Sequence, residues 1–524
     1  MNETLITQKN VMFTRDNSNL SKFEHLKPEV FSQTFFNFVD TGMTATNRAT
    51  FYNIKTEQND VVAKMHRNLI SIDRGLYSAT LLLDGYTDYT KQIGVLNLLS
   101  NIGDINTSLL DKNIETKIIE HVLNTLPAHR VLNLFLELKT QKINNARTKR
   151  IILQFILNSK NLNYWAVTYR RKIQLALKHA LGQRTVSIIK SILDKKSWNE
   201  KEKSIIDSNI DTYVISKNNL KNIYDAISFI LGNQPATSIK EISSFYEAKH
   251  DIKAGKHLPE VVLQGIRSTY HKNIDKSFVL EITKQNLTEK QKMQVQTRAK
   301  EAGIKVDFDA TKQNVVELYI HAYAQNGITD EIKQALNIKA IKAANNSPIN
   351  YRKIGIVIDA SGSSFGHSTQ KLRPIAITQS IRDMLIACAS DEVHIAYAGG
   401  EERNGLIYPT GETNLSKPLI EVLKINPEVI FIISDGYENS GVRVHEIIEG
   451  INKLKLDISI YHINPVTSAE SSGVRKLSDK LAPIPVSNPD ALGTGMIKAM
   501  IQTSVKEGVL AILNTTVPKI IKSN

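Results

Sequence analysis

The segment KIGIVIDASGS (353–363) decides the fold of the last third of the chain. It begins with a nearly continuous run of apolar, β-branched residues, which is typical of a strand buried on both faces of a parallel sheet. Three similar runs follow, at EVHIAYAGG (392–400), EVIFIISDG (428–436) and DISIYHINP (457–465). Amphipathic helical stretches alternate with them, at 372–389, 414–425 and 442–454. Strands that alternate with helices predict a doubly wound, parallel-sheet α/β domain.

Oxygen-rich loops follow the strands of this predicted domain. Asp359, Ser361 and Ser363 come directly after the first strand, and Asp435 follows the third. Thr413 lies in a Gly-Glu-Thr-Asn-Leu loop that opens a helix. Open α/β sheets bind ligands outside the carboxyl ends of their strands, and hydroxyl and carboxylate oxygens suit Mg²⁺ or Mn²⁺. The loops therefore predict a metal site, the alternative being polar strand ends that only cap the following helices.

Together, Asp-x-Ser-x-Ser, Gly-x-Thr-x-Leu and a later Ser-Asp-Gly resemble the metal-ion-dependent adhesion site of the von Willebrand factor A domain. The resemblance covers roughly residues 353–488. It implies that Ser361 and Ser363 bind the ion through their hydroxyls, and Thr413 directly or through water. It further implies that Asp359 and Asp435 orient water or support the ligands of the ion. An acidic side chain of a partner protein would fill the remaining position.

The part of the chain from about residue 27 to residue 336 has the pattern of one helix after another. In RVLNLFLELKTQK (130–142), for example, the apolar residues recur on one broad face at helical spacing. The pattern continues at 148–160, 169–182, 185–196, 223–232 and 258–271. Short polar connections and the lack of a strict period predict an irregular, HEAT-like helical-repeat solenoid or ring.

The expected fold class is therefore α + α/β. The predicted organisation is an N-terminal arm (1–26), a basic α-helical repeat domain (27–348) and an A-like domain with terminal helices (349–524).

The positive charge of the chain is unevenly distributed. The 524 residues include 66 Lys and Arg against 52 Asp and Glu, which gives a formal net charge of +14. Residues 351–524 contain 18 of each sign, so the whole excess precedes residue 351. Such asymmetry indicates a polyanionic partner, with nucleic acid or an anionic membrane as the usual candidates. A lysine-rich, solvated surface is the alternative.

The densest basic and aromatic stretch runs from residue 147 to residue 184. Cations in such a stretch neutralise phosphates, and aromatic rings such as Trp165 and Tyr169 offer unpaired bases a stacking surface. Core packing of both rings, with the cations as a solvated rim, is the alternative. The candidate RNA-binding residues are Arg147, Lys149, Arg150, Arg170, Arg171, Lys172, Lys178, His179 and Arg184.

A basic helical-repeat domain followed directly by an A domain resembles the Ro autoantigen (TROVE) family of RNA-binding proteins. HAYAQN (321–326) and GITDEIKQALNIKAIKAA (327–344) are similar to that family's helices before the A domain, and HLPEVVLQGI (257–266) is similar to its Leu-Pro helix starts. The resemblance implies that small noncoding RNAs bind a basic face and that single-stranded ends of misfolded RNA enter a ring. It also implies an exoribonuclease as a possible protein partner.

The sequence gives little support to an enzyme. It contains no phosphate-binding Walker loop, no His-Glu-x-x-His and no Gly-x-Ser-x-Gly, so no catalytic residues are predicted. Cys388 is the single cysteine, which excludes an intrachain disulfide. No apolar run approaches about 18 residues, and no signal-peptide pattern is visible. We therefore expect a cytoplasmic, monomeric protein without a membrane partner. A metal-dependent protein-interaction scaffold without RNA binding is the alternative function.

Overall fold

The computed structural model describes a chain that packs as two compact units. The described residues are 7–8, 11–12, 26–45, 55–100, 108–345, 347, 349, 351–366, 371–465 and 475–521. Unit 1 comprises Met1–Ile119 and Gln313–Asn524, and unit 2 is Glu120–Lys312. This grouping differs from the limits predicted from the order of elements, because helices early in the chain pack with its last third.

The predicted N-terminal arm lies outside the described residues except for Leu26 and a pair of two-residue strands. These strands are β1 (Thr7–Gln8) and β2 (Val11–Met12), which pair antiparallel.

Unit 2 is helical throughout, as predicted. Helix α5 (Lys112–Thr125) spans the division between the units. The helices that follow are α6 (Ala128–Thr140), α7 (Ala146–Leu157), α8 (Leu162–Thr168), α9 (Arg170–Leu181), α10 (Gln183–Leu193), α11 (Glu200–Asn209), α12 (Leu220–Leu231), α13 (Lys240–Glu247), α14 (Glu260–Tyr270), α15 (Lys276–Thr283), α16 (Glu289–Gln294) and α17 (Gln296–Glu301).

Helix α9 shows how the repeats of unit 2 pack. Its buried stripe is Ile173, Ala176, Leu177 and Ala180, which recur at helical spacing. This helix contacts α6, α7, α10 and α12, so helices separated in the sequence share one apolar core. The predicted helical repeat is confirmed in its secondary structure and packing.

The remaining elements belong to unit 1. Its helices are α1 (Pro28–Thr44), α2 (Lys55–Ile72), α3 (Arg74–Thr80), α4 (Asp88–Leu99), α18 (Val315–Ala324), α19 (Asp330–Asn345), α20 (Arg373–Cys388), α21 (Ser416–Leu423), α22 (Val444–Lys453), α23 (Leu492–Thr503) and α24 (Val505–Ile521). Its further strands are β3 (Tyr351–Asp359), β4 (Ala389–Ala398), β5 (Glu401–Arg403), β6 (Leu406–Tyr408), β7 (Val429–Ile433), β8 (Ser459–Pro465) and β9 (Pro483–Val486).

Five of these strands form a parallel sheet in the order β4-β3-β7-β8-β9. All five residues of β7 are buried, as are the last six of β3. Helices α20 and α21 both pack on β3. Since β3 and β7 are central, their carboxyl ends lie side by side. The predicted parallel-sheet α/β fold is confirmed, with one additional strand, β9, and the small antiparallel pair β5–β6.

The last two helices pack on the first ones within unit 1. Helix α23 contacts both α1 and β9, and α24 contacts α3. Thr494 donates a hydrogen bond to the carbonyl of Asp84 at 2.7 Å, and Lys519 Nζ lies 3.0 Å from the Asp84 carboxylate. The predicted terminal helices are therefore present and fold back on the sheet and on the early helices. Within the described ranges, no helix is both long and apolar enough to span a bilayer.

Candidate functional sites

The five residues predicted to bind a metal lie together at the carboxyl edge of the sheet. Asp359 is the last residue of β3, and Asp435 follows β7 after one intervening residue. The two strands are neighbours, with Ile358 paired to Ile433. The strand order thus brings together two carboxylates that are distant in the sequence.

A chain of hydroxyl groups joins the Thr413 loop to the loop that follows β3. Thr413 Oγ1 donates to Ser361 Oγ at 2.7 Å, and Ser361 Oγ lies 3.2 Å from Ser363 Oγ. Asp359, Ser361 and Thr413 are each at most 2% exposed, whereas Ser363 is exposed. The hydroxyls therefore form a continuous polar path from the buried floor to the surface.

The turn at Gly399 holds the Thr413 loop against the end of β3. Gly399 has a φ of 73°, and a Cβ there would lie 2.3 Å from the carbonyl oxygen of Thr410. Thr410 in turn donates its backbone N–H to the carbonyl of Ala360 at 3.0 Å. A glycine at this position permits the close approach and the left-handed backbone.

Asp359 is held by hydrogen bonds that fix both of its carboxylate oxygens. The backbone N–H of Ser361 donates to Oδ1 at 3.1 Å, and the Ser434 hydroxyl donates to Oδ2 at 2.8 Å. Burial raises the pKa of Asp359; these hydrogen bonds oppose the rise and the nearby charge of Asp435 adds to it. Burial also raises the pKa of Asp435, against a hydrogen bond with Ser363 and the positive charge of Arg475. Two partly desolvated carboxylates of this kind are stabilised by a bound cation.

Three supporting residues were not predicted from the sequence. Asn439 accepts a hydrogen bond from the Thr413 backbone N–H at 2.9 Å, and Asn464 donates to the Asp435 carbonyl at 3.0 Å. The Arg475 guanidinium stacks over the Tyr437 ring, 3.2 Å from its centroid. These residues are joined to the site by the fold rather than by a local motif, so no sequence signal pointed to them.

The donor set fits a hard divalent cation. It consists of two carboxylates and three hydroxyls, which are oxygen ligands of the type that Mg²⁺ and Mn²⁺ prefer. Nowhere in the described part of the chain do three or more His, Cys, Asp or Glu side chains form a possible metal-binding group. A site rich in hydroxyls is not a group of that kind, and Asp359, Ser361, Ser363, Thr413 and Asp435 stay the predicted residues of the metal site.

The candidate RNA-binding residues all lie in unit 2. Arg150 on α7, Arg171 on α9 and Arg184 on α10 are exposed. Helix α9 packs directly on α7 and on α10, so the three arginines belong to one group of contacting helices. Across the described residues, none of the three has a carboxylate partner within 4.0 Å. They are available to a polyanion.

The other candidates are partly buried, and several have contacts within the protein. Lys172 Nζ donates to Asn133 Oδ1 at 2.8 Å, and His179 Nε2 lies 2.9 Å from the Ile143 carbonyl oxygen. Lys149 Nζ lies 5.8 Å from the Tyr213 ring centroid. Arg147 and Lys178 are also half-buried, as is Arg170. Contact of these residues with RNA stays a prediction.

For Trp165 the structure favours the alternative of core packing over a free stacking surface. Its ring stacks on that of Phe155, with centroids 5.2 Å apart and an angle of 21° between the planes. Trp165 therefore packs within the helical unit, whereas Tyr169 is half-buried just before α9.

Among known proteins, the chain finds its similarity with solved structures. No family model matches the sequence, and no curated protein matches it. The chain is similar to the solved structure of the Ro (RSR) protein of Deinococcus radiodurans, with 12% identity and a TM-score of 0.39. The match covers 89% of this chain and 99% of that chain. At this identity and TM-score, the similarity shows no function of this chain.

Proposed function

We propose that the chain is an RNA-binding protein of Ro type, in which unit 2 binds small noncoding or misfolded RNA. The A-like domain of unit 1 would hold Mg²⁺ or Mn²⁺ and dock a protein partner that presents an acidic residue, such as an exoribonuclease. The proposal includes no catalytic step. It combines the motif resemblance with the excess of positive charge in unit 2.

The observation that carries the proposal is the concentration of positive charge in one compact unit. Unit 2 contains 33 Lys and Arg against 18 Asp and Glu, whereas the rest of the chain contains 33 against 34. The whole net charge of the protein thus belongs to the helical unit. A basic unit attracts a polyanion at long range and binds it with release of counterions.

Part of this positive charge is grouped on one face of helix α9. On α9, Arg171 and Lys178 are seven residues apart, which places them on the same face of the helix. Arginine binds phosphate through two parallel hydrogen bonds, so uncommitted guanidinium groups are suited to an RNA backbone.

The predicted metal ligands support the docking part of the proposal. Ser361, Ser363 and Thr413 would bind the ion, while Asp359 and Asp435 would hold its water ligands and balance its charge. A bound divalent ion offers an open position to a carboxylate oxygen of a partner. Ser363 is exposed, so a partner can approach the site from that side.

Binding of single-stranded and stem-loop RNA across a salt series tests the RNA function. The test variant replaces Arg150, Arg171 and Arg184 by glutamine. We expect the parent to bind with a steep salt dependence, and the slope against log salt for single strands to fall by about 0.7 for each lost phosphate contact. Affinity should fall for all RNA sequences alike, because phosphate contacts carry no base information.

The matched control removes the same charge from unit 1. Lys417, Lys424 and Lys453 are exposed, so their replacement by glutamine changes the net charge by the same amount. This control should keep the affinity and slope of the parent. Equal losses in both variants would indicate attraction by net charge alone, and weak binding by the parent would favour the metal-dependent scaffold without RNA binding.

A further inference from the structure

Two basic stretches that are far apart in the sequence meet at a group of three aromatic rings in unit 2. The rings are Phe229 on α12 and Phe245 and Tyr246 on α13, with centroids 5.4 to 5.8 Å apart and steep angles between their planes. The Arg170 guanidinium carbon lies 4.2 Å from the Phe229 centroid. Lys249 Nζ lies 4.9 Å from the Phe245 centroid and 5.3 Å from that of Tyr246. We call these five residues the aromatic–basic cluster.

The two cations of the cluster keep their hydrogen-bond donors uncommitted. In the part of the chain that the structure describes, neither Arg170 nor Lys249 forms an ion pair or donates a side-chain hydrogen bond. Both side chains are half-buried, so water covers them only in part. Burial lowers the pKa of Arg170, because partial removal from water disfavours its charged form. An anion would supply the missing interactions.

The rings of the cluster are open on one side. Phe229 is fully buried and forms the floor, whereas Phe245 and Tyr246 are half-buried. The Tyr246 ring is held by edge-on packing against Phe229 and Phe245, and its hydroxyl also donates to the Asn233 carbonyl at 3.3 Å. The Tyr246 ring offers an unpaired base one flat stacking surface, Phe245 borders it nearly at a right angle, and the uncommitted cations offer a phosphate contact.

We infer that the aromatic–basic cluster binds one unpaired nucleotide of the RNA, with the base against Phe245 and Tyr246 and the phosphate held by Arg170 and Lys249. This inference rests on the proposed RNA function and adds a preference for single strands. Base-paired nucleotides have no free face to offer the rings. The subsite therefore distinguishes single-stranded segments from duplex, which phosphate contacts alone do not.

The test compares binding of oligouridylate and of a duplex RNA by the full-length protein. The variant Tyr246→Leu removes a ring but keeps an apolar side chain, and Tyr246→Phe keeps the ring. We expect Tyr246→Leu to lose about 5- to 100-fold in affinity for oligouridylate and little for duplex. Tyr246→Phe should bind as the parent does. Lys249→Gln should weaken both RNAs and lower the salt slope by about 0.7 for the single strand.

The matched control is Tyr224→Leu in the same unit. Tyr224 is also a half-buried tyrosine, but its hydroxyl donates to the Asp211 carboxylate, so its surroundings repel phosphate. This variant should bind oligouridylate as the parent does. Thermal unfolding of each variant shows whether it is folded. Should Tyr246→Leu not fold, Phe245→Leu replaces it.

The outcomes separate this inference from the proposed function. Unchanged binding of oligouridylate by Tyr246→Leu overturns the subsite, even where Lys249→Gln has an effect, because the cluster is then only a phosphate contact. If replacing Arg150, Arg171 and Arg184 weakens RNA binding but Tyr246→Leu does not, the proposed function stands and the subsite is overturned. Equal competition by polyglutamate would indicate an acidic protein segment instead and would also overturn the inference.

Discussion

Lys498 and Asp40, separated by 458 residues, form an ion pair with 2.6 Å between Nζ and Oδ1. The Lys498 side chain is 4% exposed and that of Asp40 is 22% exposed. Lys498 also donates to the Pro483 carbonyl at 3.2 Å and lies 5.5 Å from the Phe36 ring centroid. The pair connects α1 with α23 and β9, and so joins the two segments of unit 1.

Replacing one partner of this pair should destabilise unit 1 more than replacing both. Lys498→Met leaves the half-buried Asp40 without its cation, and we expect a loss of about 3 kcal/mol in the free energy of unfolding. The double variant with Asp40→Asn should recover much of that loss, since no unpaired charge then remains. Chemical denaturation of the single and double variants measures the difference. Strictly additive losses would contradict the assigned coupling. The exposed pair Lys203–Glu200 is the control and should show little effect.

The metal site predicts a stabilisation by Mg²⁺ that depends on Asp359. A ligand at about 100 times its dissociation constant stabilises a folded protein by about 2.7 kcal/mol, so Mg²⁺ should raise the unfolding temperature of the parent. Asp359→Ala should abolish the response. Because Asp359 is buried beside another carboxylate, Asp359→Asn should lose the response while remaining as stable as the metal-free parent.

The control for the metal prediction is Asp457→Asn. Asp457 is exposed and precedes β8, at the opposite edge of the sheet, so this variant should respond to Mg²⁺ as the parent does. A parent whose unfolding temperature is unmoved by both Mg²⁺ and Mn²⁺ would contradict the predicted site.

We expect the burial of His66 to lower the free energy of unfolding in mild acid. It is buried in unit 1, its Nδ1 lies 2.6 Å from the Tyr77 hydroxyl, and burial lowers its pKa to about 3. The unfolded chain binds a proton near pH 6.5 but the folded chain does not, so the stabilising contribution is complete above that pH and is lost as pH falls towards 3. Between pH 6.5 and pH 5, this group should cost about 2 kcal/mol.

The measurement compares parent and His66→Gln by denaturation at several pH values. The variant should show a shallower decline in unfolding free energy between pH 6.5 and pH 5. His250→Gln, at an exposed position of unit 2, should decline as the parent does. Parallel curves for the parent and His66→Gln would show that the proton uptake belongs to other groups.

At Gly355, in the centre of the sheet, we expect that no larger side chain fits without loss of stability. A Cβ on this residue of β3 would lie 2.2 Å from Val422 Cγ1, so α21 can approach the strand only over a glycine. Gly355→Ala should cost about 1–3 kcal/mol by overpacking. The added substitution Val422→Ala should remove the clash, and denaturation of both variants checks this.

Gly450 provides the comparison within the same unit. It lies in α22, and nothing is within 4 Å of an added Cβ. Gly450→Ala should therefore gain up to about 1 kcal/mol from helix propensity. A Gly355→Ala variant as stable as the parent would mean that α21 shifts freely.

The sequence predicted the central strands well because both faces of β3 and β7 are buried and their apolar runs are nearly continuous. Strand β9 was missed. Its sequence, Pro483-Ile-Pro-Val486, has two prolines, which lack the N–H that a strand interior uses, and it is tolerated because β9 is an edge strand. A local pattern could not show that edge position.

In the candidate sites, too, local sequence patterns could not show contacts that depend on tertiary packing. Asp359 and Asp435 could be placed together because parallel strands end at one edge of a sheet. Asn439 and Arg475 reach that edge through loops whose course depends on tertiary packing. Likewise, the convergence of Arg170 with Lys249 depends on how α9 and α13 pack around Phe229, which residue spacing does not determine.

The discontinuity of unit 1 has a consequence for synthesis of the chain. Unit 2 is continuous in sequence, so all of its residues have been made by Lys312. Asp40 and Asp84 must wait for Lys498 and Lys519, and the residues of α1 that contact α23 wait for that helix. Unit 2 can therefore fold before the second segment of unit 1 has been made. During that interval the side of α1 that contacts α23 is exposed, and we expect chaperones to bind mainly there.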